Sequence, residues 1–203
     1  MVSTAPNRLA SLPWPNILTV LRLVLIPVIT LLLYGALGTA AKGMAWLAWG
    51  LYLLAGLSDW ADGYLARRLQ QHSAFGVCLD PIADKVLVAI LLVALLAFQQ
   101  LPLMDLLPVG VILTREILVA GVREFLALRQ LPMPVTYLAK VKTAMQLVAV
   151  GVLLLPIAEL QGVGRVLLWL SSGVTLYTGL EYALQARVLL RTAASPPEVV
   201  QSP

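Results

Sequence analysis

The chain has 203 residues, 60% of them hydrophobic and only 12% charged, with a net charge of +4. Soluble domains carry about 25% charged residues, so this chain has too little polar surface to cover itself in water and reads as an all-α integral membrane protein. One cysteine, Cys78, excludes an intrachain disulfide, and with His72 as the only histidine there is no His/Cys cluster for zinc.

Residues 1–15 read as a cytoplasmic lead in which Leu9, Leu12 and Trp14 can lie in the membrane interface. Pro15-Asn16 then looks like a helix start. About 20 apolar residues cross a bilayer. On that length six spans are predicted, at 16–37, 43–66, 80–99, 105–128, 136–158 and 165–190, making 16–192 one six-span domain. The first span is expected to be retained and not cleaved as a signal, because it is too long, contains Arg22 and follows no basic segment. The Ser/Pro-rich tail, 193–203, is expected to be disordered. With the N-terminus inside, Arg8, Arg67, Arg68, Lys85, Arg129, Lys140, Lys142, Arg187 and Arg191 fall on the cytoplasmic side, and Lys42 and Arg165 on the other. That asymmetry predicts a multi-pass protein with both termini cytoplasmic. No soluble second domain, repeat or glycine-rich nucleotide loop is evident.

The end of the second span and the start of the third carry the chemistry. They read Asp59-x-x-Asp62-Gly63-x-x-Ala66-Arg67, eight residues, then Gly76-x-x-x-Asp80-x-x-x-Asp84. A carboxylate beside a membrane is costly and points to function by default. On helices, Asp59 and Asp62 share one face, as do Asp80 and Asp84. Gly63 leaves the backbone open to a ligand. Four converging carboxylates would repel and raise one another's pKa values unless cations neutralise them. Two divalent ions do so, and oxygen-only ligation selects Mg²⁺ or Mn²⁺. Taken singly, Asp80 reads equally well as a helix cap and the others as solvated side chains. Arg67 suits a phosphate oxygen, and Arg68 suits lipid headgroups. Ser73 can donate to a phosphate, although a loop serine is usually only solvated.

This pattern resembles the signature of the CDP-alcohol phosphatidyltransferase family, D-x2-D-G-x2-A-R-x8-G-x3-D-x3-D, with every fixed position present. The resemblance implies six transmembrane helices, a homodimer, and transfer of a phosphatidyl group from CDP-diacylglycerol to an alcohol with release of CMP. It implies that Asp59, Asp62 and Asp80 hold the metals and that Asp84 lies beside them as general base. It further implies that Gly63, Ala66 and Arg67 line the CDP site, with Gly76 part of the same signature.

Four further stretches are similar to the bacterial phosphatidylglycerophosphate synthase branch of that family. They are Pro15-Asn16-Ile17-Leu18-Thr19-Val20-Leu21-Arg22, Leu79-Asp80-Pro81-Ile82-Ala83-Asp84-Lys85, Thr114-Arg115-Glu116-Ile117 through Val122-Arg123-Glu124, and Ala139-Lys140-Val141-Lys142-Thr143. In that branch the acceptor is sn-glycerol 3-phosphate and the location is the inner (cytoplasmic) membrane. The residues agree independently. Arg115 and Arg123 lie in an apolar fourth span, about 80° and 12 Å apart on a helix, so both can line one inward groove. Glu116 is expected to orient Arg123. The alternative is that Arg115–Glu116 and Arg123–Glu124 are structural ion pairs. Lys140 and Lys142 point roughly opposite ways, so one faces the site and the other snorkels. Arg22 meets the CDP diphosphate or snorkels, and Asn16 and Thr19 are lesser candidates for the same site. The expected partners are CDP-diacylglycerol, sn-glycerol 3-phosphate and the lipid bilayer, with no nucleic acid. A same-family enzyme using serine, inositol phosphate or phosphatidylglycerol is the nearest alternative. A cation-coupled transporter fits less well, because the acids cluster at one membrane face and no inverted repeat is evident.

Overall fold

The computed structural model describes residues 14–39, 42–69, 74–98 and 100–194, with side chains placed for all of these except 14–18, 38–39, 59–69, 74–78, 80–81 and 193–194. The described residues form an all-helical fold. It comprises α1 (Trp14–Thr39), α2 (Lys42–Leu69), α3 (Ala74–Ala97), a short 3-10 turn (Leu103–Asp105), α4 (Leu106–Leu128), α5 (Tyr137–Leu153) and α6 (Ala158–Ala194). Each α-helix overlaps one predicted segment.

Two starts differ from expectation. Helix α3 begins at Ala74 and not at 80, which puts Asp80 inside the helix and removes its reading as an N-cap. Helix α6 begins at Ala158, ahead of the apolar stretch that opens at Arg165. Its polar first turns have a local use: Gln161 Nε2 donates to Leu153 O at 3.2 Å and Leu155 O at 3.0 Å, satisfying carbonyls at the end of α5.

Among the described residues, only Thr19–Leu37 of α1 is by itself long and apolar enough to cross a membrane, with mean hydropathy 2.3. The apolar run of α4 is broken by Arg115, Glu116, Arg123 and Glu124, and α5 is only 17 residues long.

The chain divides into two compact units, Met1–Leu101 with Val150–Gly164, and Pro102–Ala149 with Arg165–Pro203. In the first, α1 packs against both α2 and α3. Its buried stripe is Thr19, Arg22, Ile26, Ile29 and Leu33, the three- and four-residue spacing of one helix face. Its outward face, with Val20, Val24, Leu31 and Leu37, is also apolar. A helix apolar all round belongs in a core or a membrane. Helix α2 meets the end of α5 where Trp49 Nε1 donates to Gly151 O at 3.0 Å. A β-carbon on Gly151 would stand 3.1 Å from the Tyr52 ring, so the missing side chain sets that approach.

In the second unit, α4 ends in a Schellman turn. Gln130 takes φ 58°, Leu131 N donates to Leu126 O at 2.9 Å, and Gln130 N donates to Ala127 O at 3.0 Å. Leu131 also packs on the core of Leu126, Met133, Tyr182 and Ala186. Helix α5 starts at an N-cap, Thr136, whose Oγ1 accepts from Ala139 N at 3.3 Å. Tyr182 of α6 steadies that start by accepting from Thr136 N at 3.2 Å. Near the start of α4, the fully buried Asp105 accepts from Arg165 Nε at 2.7 Å and Trp169 Nε1 at 2.8 Å. These charge-assisted bonds tie α6 to the turn before α4.

Candidate functional site

The aspartate frame belongs to the first unit. The last turns of α2 carry Asp59, Asp62, Gly63, Ala66 and Arg67, and α3 carries Gly76, Asp80 and Asp84. Both segments are continuous α-helix, so the three- and four-residue spacings keep each aspartate pair on one face. Among these residues only the Asp84 side chain is among those described. The side chains of Asp59, Asp62, Ala66, Arg67, Asp80 and Asn16, together with the surroundings of Gly63 and Gly76, lie outside the described set, as does Ser73 altogether.

Asp84 is 36% exposed, and its Oδ1 accepts from Arg22 Nη1 at 2.7 Å. Arg22 is 1% exposed, one turn beyond the buried Thr19 on α1. It does not snorkel. Its stem runs into the helix interface and its charge is held by a carboxylate, which is how a buried guanidinium is tolerated. The pairing holds the Oδ1 side of the Asp84 carboxylate.

The second unit holds a buried cation cluster. Arg115 of α4 donates from Nη1 to Glu116 Oε1 at 3.3 Å and from Nη2 to Thr178 Oγ1 at 3.2 Å. Its guanidinium lies 5.3 Å from the centre of the Tyr182 ring, a cation–π distance. Lys142 of α5 donates to the same Glu116 Oε1. Behind it, Gln146 Nε2 donates to Thr175 Oγ1 at 2.9 Å. Arg115 also faces a groove of about 620 Å³ between α4 and α6, lined by apolar side chains such as Leu107, Val111, Val119, Leu176 and Leu180.

The two lysines differ in burial. Lys142 is buried against Glu116, whereas Lys140 is exposed. The cluster also corrects an expectation. Glu116 pairs with Arg115 and Lys142 and does not orient Arg123, which is exposed, as is Glu124. The reason is distance along the helix: Glu116 and Arg123 are seven residues apart, only about 20° around α4 but about 10 Å along it, whereas Arg115 and Lys142 reach Glu116 directly.

Three participants have no obvious sequence signal. Thr178 and Tyr182 are ordinary residues of an apolar helix, and Gly179 matters only because Arg115 lies against it. What signal exists is the run Ser171, Thr175, Thr178 and Tyr182, a polar stripe of helical spacing that is buried.

The family model for CDP-alcohol phosphatidyltransferase matches residues 12–177. This chain belongs to the CDP-alcohol phosphatidyltransferase family.

Relatives agree over most of its length. A Rickettsia typhi protein is 42% identical over 173 residues, covering 83% of this chain and 93% of the relative. A Cereibacter sphaeroides protein is 45% identical over 154 residues, covering 74% and 68%. A Pseudomonas fluorescens protein is 41% identical over 184 residues, covering 88% and 92%. All three carry the name CDP-diacylglycerol–glycerol-3-phosphate 3-phosphatidyltransferase. CDP-alcohol phosphatidyltransferases are membrane-embedded and in general depend on divalent metal. In this member the family match contains the whole aspartate signature, Arg22, Arg115, Glu116 and Lys142, and stops one residue before Thr178.

Proposed function

We propose that this chain transfers the phosphatidyl group of CDP-diacylglycerol to sn-glycerol 3-phosphate, giving phosphatidylglycerophosphate and CMP in phosphatidylglycerol biosynthesis. The observation that carries this is the one name shared by relatives 41–45% identical across most of the chain. The buried pair Arg115 and Lys142 supports it, because an acceptor that brings its own phosphate requires cations.

On this reading the six helices are six membrane spans with both termini cytoplasmic, in the inner membrane, and the working form is a homodimer. The lipid tails of CDP-diacylglycerol stay in the bilayer while its headgroup reaches the aspartates. Asp59, Asp62, Asp80 and Asp84 offer oxygen donors only, which fits Mg²⁺ or Mn²⁺ and two ions. Bound there, the ions supply Lewis-acid polarisation of the diphosphate and stabilise departing CMP. The chain's own residues do the rest. Arg67 binds a diphosphate oxygen, with Gly63, Ala66, Ser73, Gly76, Asn16 and Thr19 completing the CDP-diacylglycerol site. Arg22 holds Asp84 in the orientation of a base. Asp84 takes the proton of the glycerol 1-hydroxyl as that oxygen bonds to the phosphorus carrying diacylglycerol, and the bond from that phosphorus to CMP breaks. Arg115 and Lys142 hold the acceptor phosphate, with Arg123 and Lys140 adding positive charge nearer the surface.

The test is an assay in detergent or liposomes with CDP-diacylglycerol and a panel of labelled acceptors. Phosphatidylglycerophosphate should form from sn-glycerol 3-phosphate in preference to products of serine, inositol phosphate or phosphatidylglycerol. Preference for another acceptor would keep the family chemistry and reject the acceptor.

A further inference from the structure

The two cations of the proposed acceptor site reach it from different helices, α4 and α5, yet they meet at one atom. Arg115 Nη1 and Lys142 Nζ both donate to Glu116 Oε1. All three side chains are largely buried, and the group carries one net positive charge. Two buried like charges this close would repel if no anion lay between them. A long side chain held by only one contact would also have to be ordered each time a ligand bound, which lowers affinity.

We infer that Glu116 is a positioning residue for the acceptor phosphate. It does not touch the reacting atoms. It fixes the spacing between Arg115 and Lys142, so that both donate to a single phosphate as they now donate to a single carboxylate oxygen. The inference rests on the proposed function, in which these cations bind the acceptor's phosphate. Three features make the role specific to Glu116. Arg115 is already held on its other side by Thr178 Oγ1 and stacked on Tyr182, so the free choice in its geometry is the Nη1 side that Glu116 controls. Its Nε is buried and has no hydrogen-bond partner among the described residues. The arrangement leaves net positive charge, so an incoming phosphate is attracted even with Glu116 in place.

The experiment is steady-state kinetics on Glu116→Ala and Glu116→Gln, each substrate varied in turn, with thermal stability measured on the purified variants. Glu116→Ala should raise the KM for sn-glycerol 3-phosphate by about tenfold or more, because two cations lose their common anchor. The KM for CDP-diacylglycerol should stay within about twofold. Glu116→Gln keeps an oxygen acceptor at the same place without its charge and should fall between. It is isosteric, so it carries the test if the alanine variant does not fold. An unchanged acceptor KM, or a parallel rise in both KM values, overturns the positioning role. Arg115→Gln and Lys142→Gln run alongside. If these raise the acceptor KM and the Glu116 variants do not, the anchor role is lost and the phosphate site stands. If none of the four moves it, the phosphate-site reading itself is rejected, and the anchor role with it.

Discussion

Gly179 on α6 lies directly against Arg115 on α4: a β-carbon at Gly179 would stand 2.9 Å from Arg115 Cγ. Cγ is close to the root of the side chain and cannot swing away as a guanidinium tip can. Gly179→Ala should therefore push Arg115 off Thr178 and Tyr182 without altering any charge. Overpacking of this kind destabilises by about 1–3 kcal/mol. The expected outcome is a lower melting temperature together with a KM for sn-glycerol 3-phosphate raised about tenfold or more, since one charged hydrogen-bond donor is misplaced. The kinetics of the purified variant, compared with its thermal unfolding curve, would check this. Loss of stability with unchanged acceptor KM would mean that Arg115 does not bind acceptor.

Burial separates the two arginines of α4. Arg115 is buried against α6 residues, whereas Arg123 is exposed. A hydrogen bond to a charged group contributes roughly 1.5–3 kcal/mol. Arg115→Gln should raise the acceptor KM by about ten- to a hundredfold. Arg123→Gln should change it by much less, and the same contrast should hold between Lys142→Gln and Lys140→Gln. Measuring all four side by side decides whether the phosphate is held at the buried cluster or on the outer surface.

The aspartates should divide by role. Chelation with EDTA should abolish activity, and Mg²⁺ or Mn²⁺ should restore it. Asp59→Asn or Asp80→Asn should weaken metal affinity, with part of the rate recovered at high metal. Asp84→Asn should stay nearly inactive even at saturating metal and acceptor, because the hydroxyl proton then has no acceptor. A metal titration of each variant's rate reads this out, and a largely active Asp84→Asn would assign the base elsewhere.

Gln130 sits in the left-handed region at the end of α4, at the position where glycine is usual. A residue with a β-carbon is disfavoured there by roughly 1–2 kcal/mol. Glycine loses more entropy on folding, which offsets part of that gain. Gln130→Gly should therefore stabilise the chain by about 0.5–1 kcal/mol, with kinetics unchanged, as thermal unfolding would record.

By itself the sequence determined what depends on neighbours along the chain. Apolar runs of membrane length located six helices, and the spacing of Asp59, Asp62, Asp80 and Asp84 placed each pair on one helix face, because helical periodicity is a local property. The signature identified the family for the same reason, being contained in one short stretch. What periodicity cannot supply is which face of one helix meets which face of another. Lys140 and Lys142 are equivalent in sequence terms, and only the packing of α5 buries Lys142 against Glu116. Glu116 stands in the same apolar helix as two arginines, and only the tertiary structure joins it to Arg115 and Lys142 while Arg123 is exposed. Arg22 becomes the partner of Asp84 because α1 packs against α3, and Gly179 gains a role because Arg115 needs the space. In each case a buried charge finds its counter-charge or its room on another helix, and in an apolar interior that match is decided by tertiary packing.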